Sequence, residues 1–346
     1  MYKILIALLF VTPLTTHAIE FGINAAGLEF GSKHGTYGID YVAPDKTYGD
    51  RGFTTVRLPF SWERIQHAPY NNLDLADLRY IDEYIDKANN QGIHVLLDMH
   101  NYGRFYGRVV NPYELAYAWR LLAQRYKGKN VSYGIMNEPH DFPRGKEEWK
   151  EMAQASIFSI RSVDTETPIV VGGYSWSGAW TWEENSSNLA SLEGDNLIFE
   201  AHQYFDQNGS GNADSQCVAG GERLDPFVNW LRNTGNKGII GEYGVAGDPQ
   251  CLNSLRSALN TMSDADDVIV ASYYWAGGPW WGGYKFSIED PDSKQMQVIS
   301  EFMDTPTEPT PVPPPTQPQV VYSDQLMLQK LDEITTLLAE IRDLLR

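Results

Sequence analysis

Two glutamates, each placed where an apolar run ends, are the residues of this chain with the clearest chemical potential. Glu138 follows the run 131–137 and Glu242 follows the run 238–241. Neither run has a helical period, so both are predicted to be buried parallel strands. A carboxylate at such a position either pairs with a cation or takes part in chemistry. Together, two such groups could hydrolyse a glycosidic bond, because one can protonate the leaving oxygen while the other meets the developing oxocarbenium ion.

Other strand-like runs also end in polar or aromatic side chains. These are Arg57, His100, Asn137, His202, Tyr204 and Trp275. In a closed barrel of parallel strands, the carboxyl ends of all strands meet at one rim, and enzymes of that fold build their sites there. The pattern therefore predicts that these side chains share one site with the two glutamates.

The chain between Ile19 and about Asp304 alternates apolar, β-branched runs with amphipathic segments. The runs that predict strands are 21–26, 54–59, 93–99, 131–137, 169–172, 197–202, 238–242 and 268–275. The segments that predict helices include 75–91, 112–126, 146–163, 225–234 and 250–262. Eight such units match an α/β fold of the (β/α)8 TIM-barrel type, which typically takes about 250 residues. A doubly wound open sheet is the alternative, but it would carry a glycine-rich turn after its first strand, and the sequence has none there.

Charge and composition narrow the class of ligand. A formal net charge of -18 disfavours nucleic acids and anionic membrane surfaces, because both would be repelled. A neutral polymer or a small molecule fits this charge better. The chain also carries 10 Trp and 20 Tyr, whose rings can stack on sugar faces, although most of them are expected to pack in the core.

The first 18 residues have the features of a secretory signal peptide. Lys3 precedes the apolar run 4–11, and small residues flank a cleavage position near Ala18. The run is shorter than the ~20 apolar residues that a membrane span needs. The mature protein is therefore expected to begin near Ile19 and to be secreted, either outside the cell or into the periplasm.

The chain has two cysteines, Cys217 and Cys251. In an oxidising compartment an even number of cysteines predicts a disulfide, and free buried thiols are the alternative. Closing a loop of this length would contribute roughly 3 to 4 kcal/mol to stability. N-x-S sequons begin at Asn130, Asn185 and Asn208, and they matter only in a source that glycosylates them.

The composition changes abruptly after Asp304. Residues 305–322 are rich in Pro and Thr, which predicts an extended linker. Residues 323–346 are predicted to form one amphipathic helix with a heptad pattern at Met327, Leu331, Ile334, Leu338, Ile341 and Leu345. A lone helix of this length is marginal in water. We therefore expect it to form a homo-oligomer or to dock on a partner, with a disordered tail as the alternative.

The strand-end residues resemble the signature of the glycoside hydrolase family 5 cellulases. The residues that carry the resemblance are Arg57, His100, Asn137-Glu138-Pro139, His202-x-Tyr204, Glu242 and Trp275, and it extends from about Phe21 to Met303. Segments 98–102, 134–140 and 202–206 are similar to the fungal-type endoglucanase branch and its bacterial relatives. The resemblance implies a (β/α)8 barrel that cleaves internal β-1,4-glucosidic bonds of cellulose or soluble β-glucan with retention of configuration.

Position by position, the resemblance implies a role for each catalytic residue. Glu138 would be the general acid/base and Glu242 the nucleophile. Arg57 and Tyr204 would hold the Glu242 carboxylate, while Asn137 would bind the sugar 2-hydroxyl.

The remaining signature residues would bind substrate. His100 and His202 would hydrogen-bond to sugar and carboxylates, and Trp275 would support the sugar next to the cleavage point. Further candidate sugar platforms are Trp62, Tyr102, Trp176, Trp180, Trp280 and Trp281. The expected ligand is a β-glucan polysaccharide or oligosaccharide, with no cofactor and no metal.

Three other functions are alternatives to this one. A β-mannanase or xyloglucanase of the same fold is the nearest alternative, because loop geometry decides which backbone is cut. A metal-dependent barrel hydrolase would use His100 and His202 as ligands, but it usually needs a tighter ligand cluster. A secreted carbohydrate-binding barrel without catalysis is the non-enzymatic alternative. The C-terminal tail lacks the aromatic surface of a cellulose-binding module.

Overall fold

The computed structural model describes residues 19–30 and 46–303. Three predicted segments lie outside these residues: the signal peptide at 1–18, the linker at 305–322 and the heptad helix at 323–346. Within the described ranges, no helix is long and apolar enough to cross a membrane.

Eight parallel strands close into a barrel, which confirms the predicted fold. They are β1 (Glu20–Ala25), β2 (Thr55–Phe60), β3 (His94–Met99), β4 (Val131–Gly134), β5 (Ile169–Gly172), β6 (Leu197–His202), β7 (Lys237–Tyr243) and β8 (Ile269–Gly277). Each strand pairs with the next along the chain, and β8 pairs with β1. Because all pairs are parallel, the eight carboxyl ends form one rim.

Helices connect the strands around the outside of the barrel. They are α1 (Trp62–Ile65), α2 (Leu75–Asn89), α3 (Pro112–Tyr126), α4 (Lys146–Arg161), α5 (Trp182–Asn185), α6 (Asp225–Thr234), α7 (Pro249–Ser263) and α8 (Lys294–Ser300). All five helices predicted from the amphipathic pattern are present, with bounds within about two residues. The two four-residue helices and α8 were not predicted.

Helix α2 illustrates how the local sequence sets these elements. The Asp74 side chain caps its start by accepting hydrogen bonds from the backbone N–H groups of Ala76 and Asp77. Its buried residues follow a spacing of three and four along the chain: Leu78, Ile81, Tyr84, Ile85 and Ala88. Burying each large apolar side chain contributes about 1.5 to 3 kcal/mol. This face fixes the helix against the barrel wall.

An irregularity between β6 and β7 sets the geometry of the rim. Ala201 pairs with Ile240, but the next residue, His202, pairs with Glu242, so Gly241 is an extra residue in β7. Such an insertion re-aims the side chains that follow it. It brings His202 directly opposite Glu242.

The predicted disulfide between Cys217 and Cys251 is present. Cys217 lies in the loop after β6, and Cys251 lies in the first turn of α7, which follows β7. The bond therefore ties together the two loops that follow neighbouring strands of the rim.

Candidate active site

Glu138 and Glu242 lie at the same rim, on the loop after β4 and near the end of β7. Oε1 of Glu138 is 2.9 Å from Nδ1 of His202, and the same nitrogen is 3.7 Å from Oε2 of Glu242. One oxygen of each carboxylate and one ring nitrogen of His202 lie within 4.8 Å of one another. The two glutamates therefore face each other in a cavity of about 600 Å³.

The backbone at Glu138 is strained. Its φ of 44° lies in the left-handed region, which a residue with a side chain rarely adopts. The strain costs about 1 to 2 kcal/mol and persists only where surrounding contacts fix it. Here the Glu138 carbonyl accepts a hydrogen bond from Nδ1 of His140 at 2.8 Å, and the next carbonyl, that of Pro139, accepts one from the Ser175 N–H at 2.8 Å. These contacts hold the Glu138 carboxylate at the cavity.

Arg57 is fully buried and links three side chains of the site. Its NH1 donates to Oδ1 of Asn24 at 2.8 Å and to Oε1 of Glu242 at 2.9 Å, while NH2 donates to Oδ1 of Asn137 at 2.7 Å. Because a guanidinium can only donate, the last bond fixes the amide orientation of Asn137. Nδ2 of Asn137 then donates to Nε2 of His100 at 3.2 Å. While that bond is made, Nε2 of His100 carries no proton.

Both oxygens of Glu242 accept hydrogen bonds. Arg57 donates to Oε1, and the Tyr204 hydroxyl donates to Oε2 at 2.8 Å. Burial, together with the negative charge of Glu242, raises the pKa of Tyr204 well above its usual 10, so the phenol stays protonated and remains a donor. Two donors hold the carboxylate in one orientation and favour its ionised form.

Two buried carboxylates support the site from within the barrel. Oδ2 of Asp98 is 3.2 Å from NH2 of Arg57 and 2.7 Å from Nδ1 of His100. Oε1 of Glu200 is 2.8 Å from Nε of Arg57 and 3.2 Å from Nε2 of His202. Burial opposes the charge on Arg57, but these carboxylates raise its pKa above the usual value. A role for these two acids was not predicted from the sequence.

A sequence signal for these supporting acids does exist. Each of them precedes its histidine by two residues, as Asp98 does in β3 and Glu200 in β6. Residues two apart on a strand point to the same face of the sheet. Asn24, the third supporting residue that was missed, has no comparable local pattern, because it is recognised only through its contact with Arg57.

His202 lies between three carboxylates. Burial opposes its charge, yet Glu242, Glu138 and Glu200 together raise the pKa of His202 to about 10. Its ring is therefore a cation at neutral pH, with a proton on each nitrogen.

Aromatic side chains form walls of the cavity. Those among the predicted sugar platforms that line it are Tyr102, Trp176, Trp180 and Trp275. The Trp275 ring stacks on His100 with a centroid distance of 5.7 Å. Trp176 stacks on His140 at 3.5 Å and remains 51% exposed, so one face of its ring is free to meet a ligand.

The expectation that Trp62 is a sugar platform is wrong. Its side chain is fully buried, its Nε1 donates to Oε1 of Gln66 at 2.7 Å, and its ring packs edge-on against Phe105 at 5.1 Å. It is a core residue. Trp280 and Trp281 are half-buried, and each donates its ring N–H to a backbone carbonyl. Trp281 contacts the Trp275 ring at 5.7 Å, which places it beside the site.

The spacing of Glu138, His202 and Glu242 would also suit a metal ion. Both oxygens of Glu242 are already bound, however, by Arg57 and Tyr204. The guanidinium 2.9 Å from Glu242 and the cationic ring of His202 would both repel a metal ion. The electrostatics of the site therefore favour an organic, uncharged ligand over a metal ion.

Comparison with known proteins identifies the family. The family model described as cellulase (glycosyl hydrolase family 5) matches residues 20–278. Endo-beta-1,4-glucanase B of Emericella nidulans is 35% identical over 286 residues, which cover 79% of this chain and 86% of that protein.

Solved structures of endoglucanases support the same family. Pseudomonas stutzeri endoglucanase Cel5A in complex with cellobiose has a TM-score of 0.76 at 36% identity, covering 84% of this chain and 93% of that one. The structure of XacCel5A in complex with cellopentaose has a TM-score of 0.78 at 33% identity, and the match covers 83% of this chain and 99% of that one. The chain therefore belongs to glycosyl hydrolase family 5, the cellulase family, and is a glycoside hydrolase.

Proposed function

We propose that this protein is a secreted endo-β-1,4-glucanase that cleaves internal bonds of cellulose or soluble β-glucan with retention of configuration. The observation that carries the mechanism is the short distance between Glu138 and Glu242, whose nearest oxygens lie within 4.8 Å. Retaining enzymes place their carboxyl groups about 5 to 5.5 Å apart, whereas inverting enzymes need about 6.5 to 9.5 Å to admit a water molecule.

In the first step, Glu242 attacks the anomeric carbon of the bound sugar. The glycosidic C–O bond breaks as the new C–O bond to Glu242 forms, and Glu138 transfers its proton to the leaving oxygen. Arg57 and Tyr204 orient the attacking carboxylate. The amide of Asn137, which Arg57 orients, is the group proposed to bind the sugar 2-hydroxyl, a contact that would strengthen as the oxocarbenium ion develops.

In the second step, Glu138 acts as a base. It takes a proton from water, whose oxygen attacks the anomeric carbon and displaces the Glu242 carboxylate. Both side chains return to their starting protonation states.

Three observations support a neutral β-glucan as the substrate. The matched relatives include named endo-beta-1,4-glucanases and structures with cellobiose and cellopentaose. The net charge of -18 disfavours nucleic acid, whose phosphates would be repelled. Several aromatic rings line the cavity, and they suit the apolar faces of glucose units. Secretion is supported by the signal-peptide pattern at residues 1–18 and by the disulfide.

Two measurements test the proposal. Proton NMR of the first products from cellopentaose should show the β-anomer appearing before mutarotation, and an initial α-anomer would contradict retention. Sugar release should be faster from carboxymethyl cellulose and barley glucan than from glucomannan or xyloglucan. The reverse order would favour the mannanase or xyloglucanase alternative, and binding without sugar release would favour the non-catalytic one.

A further inference from the structure

Glu200 is buried and has no place in the reaction described above. It is 1% exposed and does not line the cavity. Its carboxylate nevertheless bridges two residues of the site, since Oε1 is 2.8 Å from Nε of Arg57 and 3.2 Å from Nε2 of His202. Burying a carboxylate is costly unless its partners compensate for the lost water. The buried position of Glu200 therefore indicates that its carboxylate has a function.

The backbone of the neighbouring strand leaves room for this carboxylate. A Cβ atom added at Gly241 would lie 1.9 Å from Oε1 of Glu200, so any residue but glycine there would displace the acid. Gly241 is also the extra residue that sets His202 opposite Glu242. The same feature of β7 thus places both the supporting acid and the catalytic pair.

His202 is the residue through which Glu200 reaches the chemistry. Its Nε2 faces Glu200, and its Nδ1 lies 2.9 Å from Oε1 of Glu138 and 3.7 Å from Oε2 of Glu242. Both ring nitrogens thus face carboxylate oxygens. An ionised carboxylate accepts hydrogen bonds and cannot donate them. The geometry matches an imidazolium that donates from both nitrogens.

We propose that Glu200 is a positioning residue that keeps His202 protonated on both nitrogens and thereby places the catalytic proton of Glu138 on Oε2. The inference rests on the proposed role of Glu138 as general acid. When Nδ1 of His202 donates to Oε1 of Glu138, that oxygen is occupied, and the acidic proton resides on the other oxygen, where a leaving group can take it.

The alternative protonation state shows why this matters. If His202 carried a proton only on Nε2, its Nδ1 would have a free lone pair. The Glu138 carboxyl would then donate its proton from Oε1 to that nitrogen, 2.9 Å away. A proton held there points at the ring and not at the glycosidic oxygen, so the general acid would be misdirected.

The cation also suits both halves of the reaction. As Glu242 forms its bond to the sugar, it loses its negative charge, and Glu138 gains one by giving up its proton. One negative charge thus passes from Glu242 to Glu138, and His202 contacts both groups. A single imidazolium can stabilise that charge in either place, provided that it stays protonated throughout.

The groups around His202 determine its charge. Glu242 from β7, Glu138 from the loop after β4 and Glu200 from β6 face the ring, with Arg57 beyond Glu200. All three carboxylates raise the pKa of His202 against the effect of burial. Removing the charge of Glu200 should lower that pKa, and the alkaline limit of activity should move to lower pH.

The variant Glu200→Gln tests the proposal through the leaving group. We expect kcat/KM on cellopentaose to fall about 10- to 100-fold, because its poor leaving group needs the acid. The dinitrophenolate of 2,4-dinitrophenyl cellobioside departs without protonation. On this substrate kcat/KM should therefore stay within about threefold of the wild-type value. Equal losses on both substrates, with an unmoved alkaline limit, would mean a purely structural role and overturn the inference. Glu200→Asp, which keeps the charge, should recover part of the loss.

Two further measurements separate this inference from the proposed function. In the wild-type enzyme at pH 8, 15N NMR should show His202 protonated on both nitrogens, and a singly protonated ring would overturn the inference even if Glu200→Gln does not fold. Glu138→Gln should show the same dependence on leaving group. If Glu138→Gln loses nothing on cellopentaose, the proposed function itself fails. The exposed residue Glu83 of α2 provides the control variant Glu83→Gln.

Discussion

The guanidinium of Arg57 donates to Oε1 of Glu242 at 2.9 Å, although 185 positions separate the two residues in the chain. The contact is made across the barrel interior, where Arg57 is fully buried and Glu242 is only 4% exposed. Arg57 also pairs with Asp98 and Glu200. One buried cation therefore compensates three carboxylates and orients Glu242, the proposed nucleophile.

Two substitutions of Arg57 should distinguish the effect of its charge from the effect of its hydrogen-bonding geometry. Arg57→Met leaves the surrounding carboxylates without their partner, and losing one member of a buried ion pair costs about 3 to 5 kcal/mol. Arg57→Lys keeps the charge but cannot donate in the planar fork that reaches Asn24, Glu242 and Asn137. We expect Arg57→Lys to remain folded with activity reduced more than tenfold, roughly the loss expected when a carboxylate is misoriented. Urea unfolding and initial rates on carboxymethyl cellulose measure the two effects, and wild-type stability of Arg57→Met would contradict this account.

Substitutions of the two proposed catalytic glutamates should have different effects on activity. Glu242→Ala removes the attacking atom, so turnover should be abolished on every substrate. Glu138→Ala removes only the acid and base, which costs about 10²- to 10⁴-fold. Added azide should restore activity to Glu138→Ala on an activated aryl glycoside, with formation of the β-glycosyl azide. Wild-type rates on polymer for either variant would refute the assignment.

The barrel and the meeting of the glutamates could be predicted because both follow from local patterns. Each strand appears as an apolar run, and parallel strands in a barrel bring their carboxyl ends to one rim. Residues at those ends, such as Glu138 and Glu242, are therefore neighbours whatever their separation in sequence. The irregularity at Gly241 is not visible in the sequence, because it depends on the register between two strands.

Burial was harder to predict than position. Trp62 and Trp176 both follow strands of the barrel, yet Trp62 is fully buried and Trp176 is 51% exposed. Phe105, a residue of a short hairpin after β3, packs on Trp62, and such a contact between two connecting segments is not visible in the sequence. Asn24 was missed for a similar reason. It donates to the carbonyl of Gly241 at 2.9 Å and accepts from Arg57, and both partners are distant in sequence.

The disulfide should stabilise the fold with little effect on the chemistry. The bond between Cys217 and Cys251 spans 34 positions. Removing a cross-link that closes a loop of that size lowers the free energy of unfolding by about 3 to 4 kcal/mol. The double variant Cys217→Ala/Cys251→Ala should lose this amount in urea unfolding while kcat at 25 °C changes less than about threefold. The reduced wild-type protein is the matched control. An unchanged midpoint would show that the bond adds nothing to stability.

The heptad pattern of residues 323–346 predicts self-association. Truncation after Asp304 should therefore yield a monomer, while the full chain should show a higher mass that depends on concentration. Light scattering or sedimentation across a wide concentration range measures both. Equal monomer masses for the two proteins would contradict self-association and leave docking on a partner or a disordered tail.

Glu29 should make stability depend on pH. Its Oε2 accepts a hydrogen bond from the Gly27 N–H at 2.6 Å, while Oε1 is sealed from solvent and has no hydrogen-bond partner among the described residues. Burial raises the pKa of Glu29 to about 7. The folded protein thus holds a proton that the unfolded chain releases near pH 4.5. The contribution of Glu29 is fully present below pH 4.5 and is lost as the pH rises through 7.

The variant Glu29→Gln should remove this dependence, because its amide oxygen can accept the same bond without titrating. The free energy of unfolding of wild type should fall relative to Glu29→Gln by about 3 kcal/mol between pH 4.5 and 7, then stay constant. Urea unfolding of both proteins in steps from pH 4 to 9 measures the difference, with the exposed variant Glu83→Gln as control. Parallel curves for wild type and Glu29→Gln would show that the Glu29 carboxyl has the same pKa in the folded and unfolded states. A difference that grows below pH 4.5 would reverse the sign argued here, because it would require the folded state to favour the carboxylate.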